Sequence, residues 1–161
     1  RKRMSQQVAQ ARRLVPAAQK LAAAAFGPLS EHYPDLANML PELPPERWQF
    51  FFVVTSVGIA FLLAPARVAA DQQSEICQIV AAALEGWHPQ AHDALQDFLT
   101  FVHQRLDQEV ELPAAIGAWL LWNLKQDKPT LSELELAWPL GLFFLHSFKD
   151  WWDLGDASNP P

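Results

Sequence analysis

A single cysteine, Cys77, in 161 residues excludes an intramolecular disulfide and leaves a cysteine-based zinc or iron–sulfur site without ligands. That usage fits a reducing compartment, so a cytoplasmic location is expected, with membrane anchoring as the alternative. Flanked by Ile76, Ile79 and Val80, Cys77 reads as a buried, inert thiol. The six glycines stand singly, which excludes a glycine-rich phosphate loop, and neither a His-Glu-x-x-His pair nor a serine elbow occurs. No segment alternates apolar and polar residues as a half-buried strand does. No period of about 20–50 residues recurs, so a solenoid is excluded as well.

Acids are missing from the first thirty residues. Arg1, Lys2, Arg3, Arg12, Arg13 and Lys20 precede the first of them, Glu31, and give that stretch a charge of +6. The other six bases face all eighteen acids, so the remainder carries −12 and the whole chain −6. A footprint on phosphates needs clustered Lys and Arg, so the acidic body is not expected to bind nucleic acid. The Arg- and Ala-rich opening has the composition of an organellar transit peptide, but its helical spacing reads as a retained first helix.

What the chain has in abundance is apolar and aromatic surface. Half the residues are apolar, 19% are charged, and seven Trp and ten Phe stand against one Tyr. One domain with one aromatic core is the expectation at this length. The expected fold is all-α: about five to seven helices in compact orthogonal or bundle-like packing. It divides into a basic helical arm (1–27), a helical core (28–154) and a polar tail (155–161).

Proline and glycine punctuate the pattern. Val8, Ala11, Val15, Ala18, Ala22 and Ala25 recur at helical spacing, and Gly27-Pro28 is expected to end that helix. A loop through Pro34, Pro41 and Pro44 follows, with one short turn near Asp35. Pro45 opens a helix whose run from Phe50 to Ala64 is apolar on every side, closed by Pro65. Asp71 is a candidate cap for the next, which stops at Gly86. From Pro89 to about Gln108 the chain is amphipathic: Leu95, Phe98, Leu99, Val102 and Leu106 share one face. Pro113 begins another all-round apolar helix, expected at the bundle centre. Thr130 with Glu133, or Ser132 with Glu135, matches a capping box ahead of a last helix that is bent or restarted at Pro139.

Four features compete for function. The stretch 48–66, with Trp48 and Arg67 at its ends, approaches the length of a membrane span, although a buried core helix has the same composition. His88 and His92, followed by Asp93, have the spacing of a helical metal pair, but Pro89 turns His88 toward a capping role. Asp93, Asp97 and Asp107 form an acidic stripe, extended by Glu109 and Glu111. The bland reading is a solvated face, and the functional one is a docking surface for a basic protein. His103 stands one turn from Asp107 on its edge. Finally, helical spacing cannot bury every ring of Phe143, Phe144, Phe148, Trp151 and Trp152, so Trp151 or Trp152 is a candidate surface anchor. These patterns call for no cofactor and carry no catalytic constellation. The expected function is a non-catalytic helical protein-interaction module; the rivals are a small membrane-anchored protein and a metal-dependent helical enzyme using His88 and His92.

Overall fold

The computed structural model of the chain describes residues 2–39 and 42–153, with side chains from residue 6 onward. The arm residues Arg1, Lys2 and Arg3, as side chains, and the tail 155–161 lie outside that description. The described residues are all-α: α1 (Lys2–His32), α2 (Pro34–Asn38), α3 (Pro45–Arg67), α4 (Ala70–Trp87), α5 (Ala91–Asp107), α6 (Leu112–Lys125), the one-turn α7 (Leu131–Leu134) and α8 (Ala137–Phe148). A 3-10 turn, Trp151–Asp153, follows α8.

The centre of the fold is α3, which packs against α1, α4, α5, α6 and α8. Neighbours on every side explain why its sequence has no polar face, and Phe52 through Ala60 are all buried. Its two buried hydroxyls are satisfied within the helix: Thr55 Oγ1 donates to the Phe51 carbonyl (2.7 Å) and Ser56 Oγ to that of Phe52 (2.9 Å). Among the described residues α3 is the one helix long and apolar enough to cross a membrane. Here its middle is enclosed by the helices around it.

Contrary to expectation, α1 does not stop at Gly27-Pro28 but runs unbroken to His32, with Pro16 and Pro28 inside it. Both prolines are exposed, and so are Arg12 and Ala24, whose carbonyls lose their intrahelical partner. Water can replace a hydrogen bond on that side, so the proline cost is small there. The inward side is a line of small and medium residues, Ala11, Leu14, Val15, Ala18, Ala22 and Ala25, all buried. They let α1 lie close on α3 and α4, so the stretch read as an arm is built into the core from residue 7 onward. For the same reason α3 passes the exposed Pro65 and ends at Arg67.

Four tryptophans anchor this core by one mechanism: the ring fills apolar volume while the indole N–H is tied to another element. Trp48 Nε1 donates to the Ala22 carbonyl (2.9 Å) and Trp152 Nε1 to that of Ala60 (2.9 Å). Trp119 Nε1 donates to Asp97 Oδ2 (2.9 Å). Trp151 and Gln10 clasp each other, Trp151 Nε1 to the Gln10 carbonyl (3.1 Å) and Gln10 Nε2 to the Trp151 carbonyl (2.9 Å). Trp151 and Trp152 are therefore core residues, 8% and 2% exposed. Their assignment as surface anchors is corrected by the backbone: α8 ends at Phe148, the chain turns through Lys149 and Asp150, and the 3-10 turn that follows sets both rings against the core.

Candidate interaction surfaces

The acidic stripe exists as a geometric feature. With α5 burying Ala91, Leu95, Phe98 and Val102, its opposite side carries Asp93, Asp97 and Asp107, all exposed. At about 100° per residue the three fall within about 80° of one another. They are not equivalent, however. Asp97 holds the buried Trp119 ring in place from α5 to α6, whereas Asp93 and Asp107 have no such side-chain tie among the described residues. His103 Nδ1 turns to the Leu99 carbonyl (2.7 Å) rather than to Asp107, donating in the tautomer that protonates that nitrogen.

The histidine pair does not converge. His88 lies outside α5 in extended backbone (φ −152°, ψ 128°), and its Nδ1 accepts the Gln90 N–H at 3.1 Å. Its ring rests edge-on against Phe50, with centroids 4.7 Å apart. One ring nitrogen is thus committed to closing the turn that starts α5, while His92 lies a turn later, inside the helix. Among the described residues no three His, Cys, Asp or Glu side chains come together around a common point, and His88, His92 and Asp93 are no exception. Burial pushes the Cys77 thiol up from its ordinary value, which opposes the thiolate a nucleophile needs.

Charge clusters elsewhere serve the fold. Glu133 closes the capping box of α7: its backbone N–H donates to Thr130 Oγ1 (3.1 Å), and its carboxylate accepts from the Thr130 N–H (2.7 Å) and from Lys125 Nζ (2.7 Å). Burial works against that carboxylate, but the hydrogen bonds from Lys125 and Thr130 outweigh it and hold the group below the usual range. A cleft of about 890 Å³ lies between α1 and the start of α3, walled by Phe26, Leu43, Pro44 and Trp48 with Glu42 and Glu46 beside them.

A surface absent from the sequence reading is formed by α6 and α8. The two helices run antiparallel in backbone contact: a methyl on Gly117 would strike the Ala137 carbonyl, and one on Gly141 the Pro113 carbonyl. With those glycines turned toward each other, about 100° per residue carries Ala114, Ala118 and Trp122 to one flank of α6. The same rotation carries Trp138, Leu142 and Leu145 to the flank of α8 on the same side of the pair. The other flank, with Ile116, Leu120, Leu140 and Phe144, is buried in the core.

The outer flank is largely apolar and incompletely covered; the charge it carries, Lys125 at the end of α6, is paired with Glu133. Trp122 and Trp138 are each 42% exposed, and Ala114, Ala118, Leu142 and Leu145 are half-buried. Unlike the four core tryptophans, neither ring has a hydrogen-bond partner for its indole N–H among the described residues. Leu131, the most exposed large apolar side chain among the described residues, stands at 85% where α7 begins after α6. The sequence signal was present in the all-round apolarity of both helices, which a position at the bundle centre also explains. Compared with protein-family models, curated proteins and solved structures, the chain matches none.

Proposed function

We propose that the chain is a non-catalytic helical protein-interaction module that docks a protein through the outer face of α6 and α8. The observation that supports this is the pair of half-exposed tryptophans, Trp122 and Trp138, on one largely apolar flank. Tryptophan concentrates binding energy at interfaces because one rigid ring covers a large area at low entropic cost and its N–H can find an acceptor on the partner. Half-exposed aromatic rings on a flank of this kind are the side chains that anchor interfaces. The acidic stripe of Asp93, Asp97 and Asp107 adds a long-range preference for a basic protein, and the aqueous cytoplasm is the matching location.

The test is affinity capture from extract with the parent chain, a Trp122→Gln/Trp138→Gln variant and a control changed on the exposed side of α4, Gln78→Ala. The reading expects a protein retained by the parent and the control and lost by the double variant, with all three equally folded by circular dichroism. The same proteins on all three, or none on any from a chain that is also monomeric at every concentration, would remove it.

A further inference from the structure

We infer that the occupant of the α6/α8 face is a second copy of this chain, packed about a two-fold axis parallel to the two helices; the inference rests on the interaction reading above. Three properties of the face point to self-pairing. The first is relief: α6 contributes the low residues Ala114 and Ala118, with Trp122 rising beyond them, and α8 the tall ones Trp138, Leu142 and Leu145. A two-fold axis along the helices sets α8 of each copy over α6 of the other, so tall side chains meet alanines on both sides of the axis.

The second property is charge. The body carries a large excess of acid, so copies approaching by most surfaces repel one another. The one charge that the rotation places on the α6/α8 flank, Lys125, is paired with Glu133 at 2.7 Å, and the charged groups at the flank's other end are of opposite sign. Glu111, just ahead of α6, and Lys149, just after α8, are both exposed and stand at the same end of the antiparallel pair. The proposed axis exchanges the two helices and brings Glu111 of each copy toward Lys149 of the other. A basic partner would find one acid there, and an anionic membrane surface would meet a protein of net charge −6.

The third is area. At 42% exposure the two indole rings offer together roughly 200 Å². Stable pairs bury about 800 Å² per partner, so the rings are the centre of the contact, with the alanines, leucines and flanking polar groups as its periphery. The contact is accordingly a reversible one that depends on concentration. The α5 stripe adjoins the contact without forming it: α5 meets α6 through Trp119, about 100° from Ala118 and about 60° from Trp122. The pair would then present two acidic stripes to a common target, with the gain that bivalency brings.

The experiment is sedimentation velocity on the purified chain from about 1 to 200 µM, with folding of every variant checked by circular dichroism. The parent is expected to move from monomer to dimer across that range. Trp138→Gln, Trp122→Gln and Ala118→Arg are each expected to weaken the dimer at least about tenfold. Glu111→Lys and Lys149→Glu are each expected to weaken it, and their combination to restore it, a rescue that mere damage to the fold would not produce. If Ala118→Arg does not fold, the two tryptophan variants and the charge exchange carry the test. A monomer at every concentration overturns the inference, and so does a dimer indifferent to all these changes, or self-association replaced by binding to phospholipid vesicles. A chain that stays monomeric yet loses a different captured protein in the Trp122→Gln/Trp138→Gln variant refutes the second copy and leaves the interaction reading standing.

Discussion

Replacing Gly117 with Ala tests the contact on which the candidate surface is built. In an ordinary exposed helix the change is favourable by about 0.5–1 kcal/mol, because Ala loses less backbone entropy on folding. At Gly117 the new methyl would overlap the Ala137 carbonyl oxygen, carbon and Cα, and no side-chain rotation relieves a clash with backbone. The helices must separate, at a cost near the upper end of the usual overpacking range, about 3 kcal/mol. The net expectation is a loss of about 2 kcal/mol, or about 4–8 °C in Tm for a chain of this size. Gly86 provides the control, since a methyl there meets nothing within 4 Å, and Gly86→Ala should raise Tm by about 1–4 °C. Gly117→Ala combined with Gly141→Ala should cost less than the sum of the two, because one separation of α6 from α8 relieves both clashes. Thermal and urea denaturation followed at 222 nm measures all of these. If Gly117→Ala is as stable as Gly86→Ala, the helices do not meet backbone to backbone, and the shared flank of Trp122 and Trp138 loses its geometric basis.

Leu120→Ala should destabilise by about 2–5 kcal/mol and Leu99→Ala by less, because Leu120 is fully buried and Leu99 is half-exposed on α5; equal losses in urea denaturation would contradict the placement of the core. Asp97→Ala should cost about 1–3 kcal/mol, since it leaves the Trp119 N–H without its acceptor, whereas Asp93→Ala should be nearly neutral; denaturation midpoints separate the two. The carboxyl of Glu133 is held below the usual glutamate value near 4.5, so its contribution to stability is present above that value and is lost as pH falls toward the lower, folded-state value. Glu133→Gln should accordingly flatten the pH dependence of Tm on the acid side, and an unchanged acid limb would refute the capping role.

The elements written in local pattern were legible as secondary structure, although the surroundings of α3, core or membrane, and the choice between two capping registers were not. The amphipathic α5, the all-round apolar α3 and the Thr130–Glu133 capping box follow from periodicity and local hydrogen bonding, and the structure has all three. The misreadings share a cause, dependence on what faces what. Pro28 ends a helix if its freed carbonyl is buried and merely bends it if that carbonyl meets water, and its exposed position in α1 decides for the latter. Trp151 and Trp152 looked unburiable only on the assumption that α8 continued through them. Asp97 read as one of three like carboxylates, because nothing local announces an indole arriving from residue 119. Trp122 was expected at the bundle centre with the rest of α6. Apolarity alone gave no reason to set it apart from Leu121 or Leu124, which are 1% exposed where Trp122 is 42%.

The central claim is that the flank shared by α6 and α8 meets a protein. A photo-activated crosslinker at position 118, midway along that flank, tests it in living cells, with the same group at position 78 on the exposed side of α4 as reference. The account predicts one discrete crosslinked protein species from position 118, absent from position 78 and absent when Trp122→Gln and Trp138→Gln are added. Equal, diffuse labelling from both positions would contradict it.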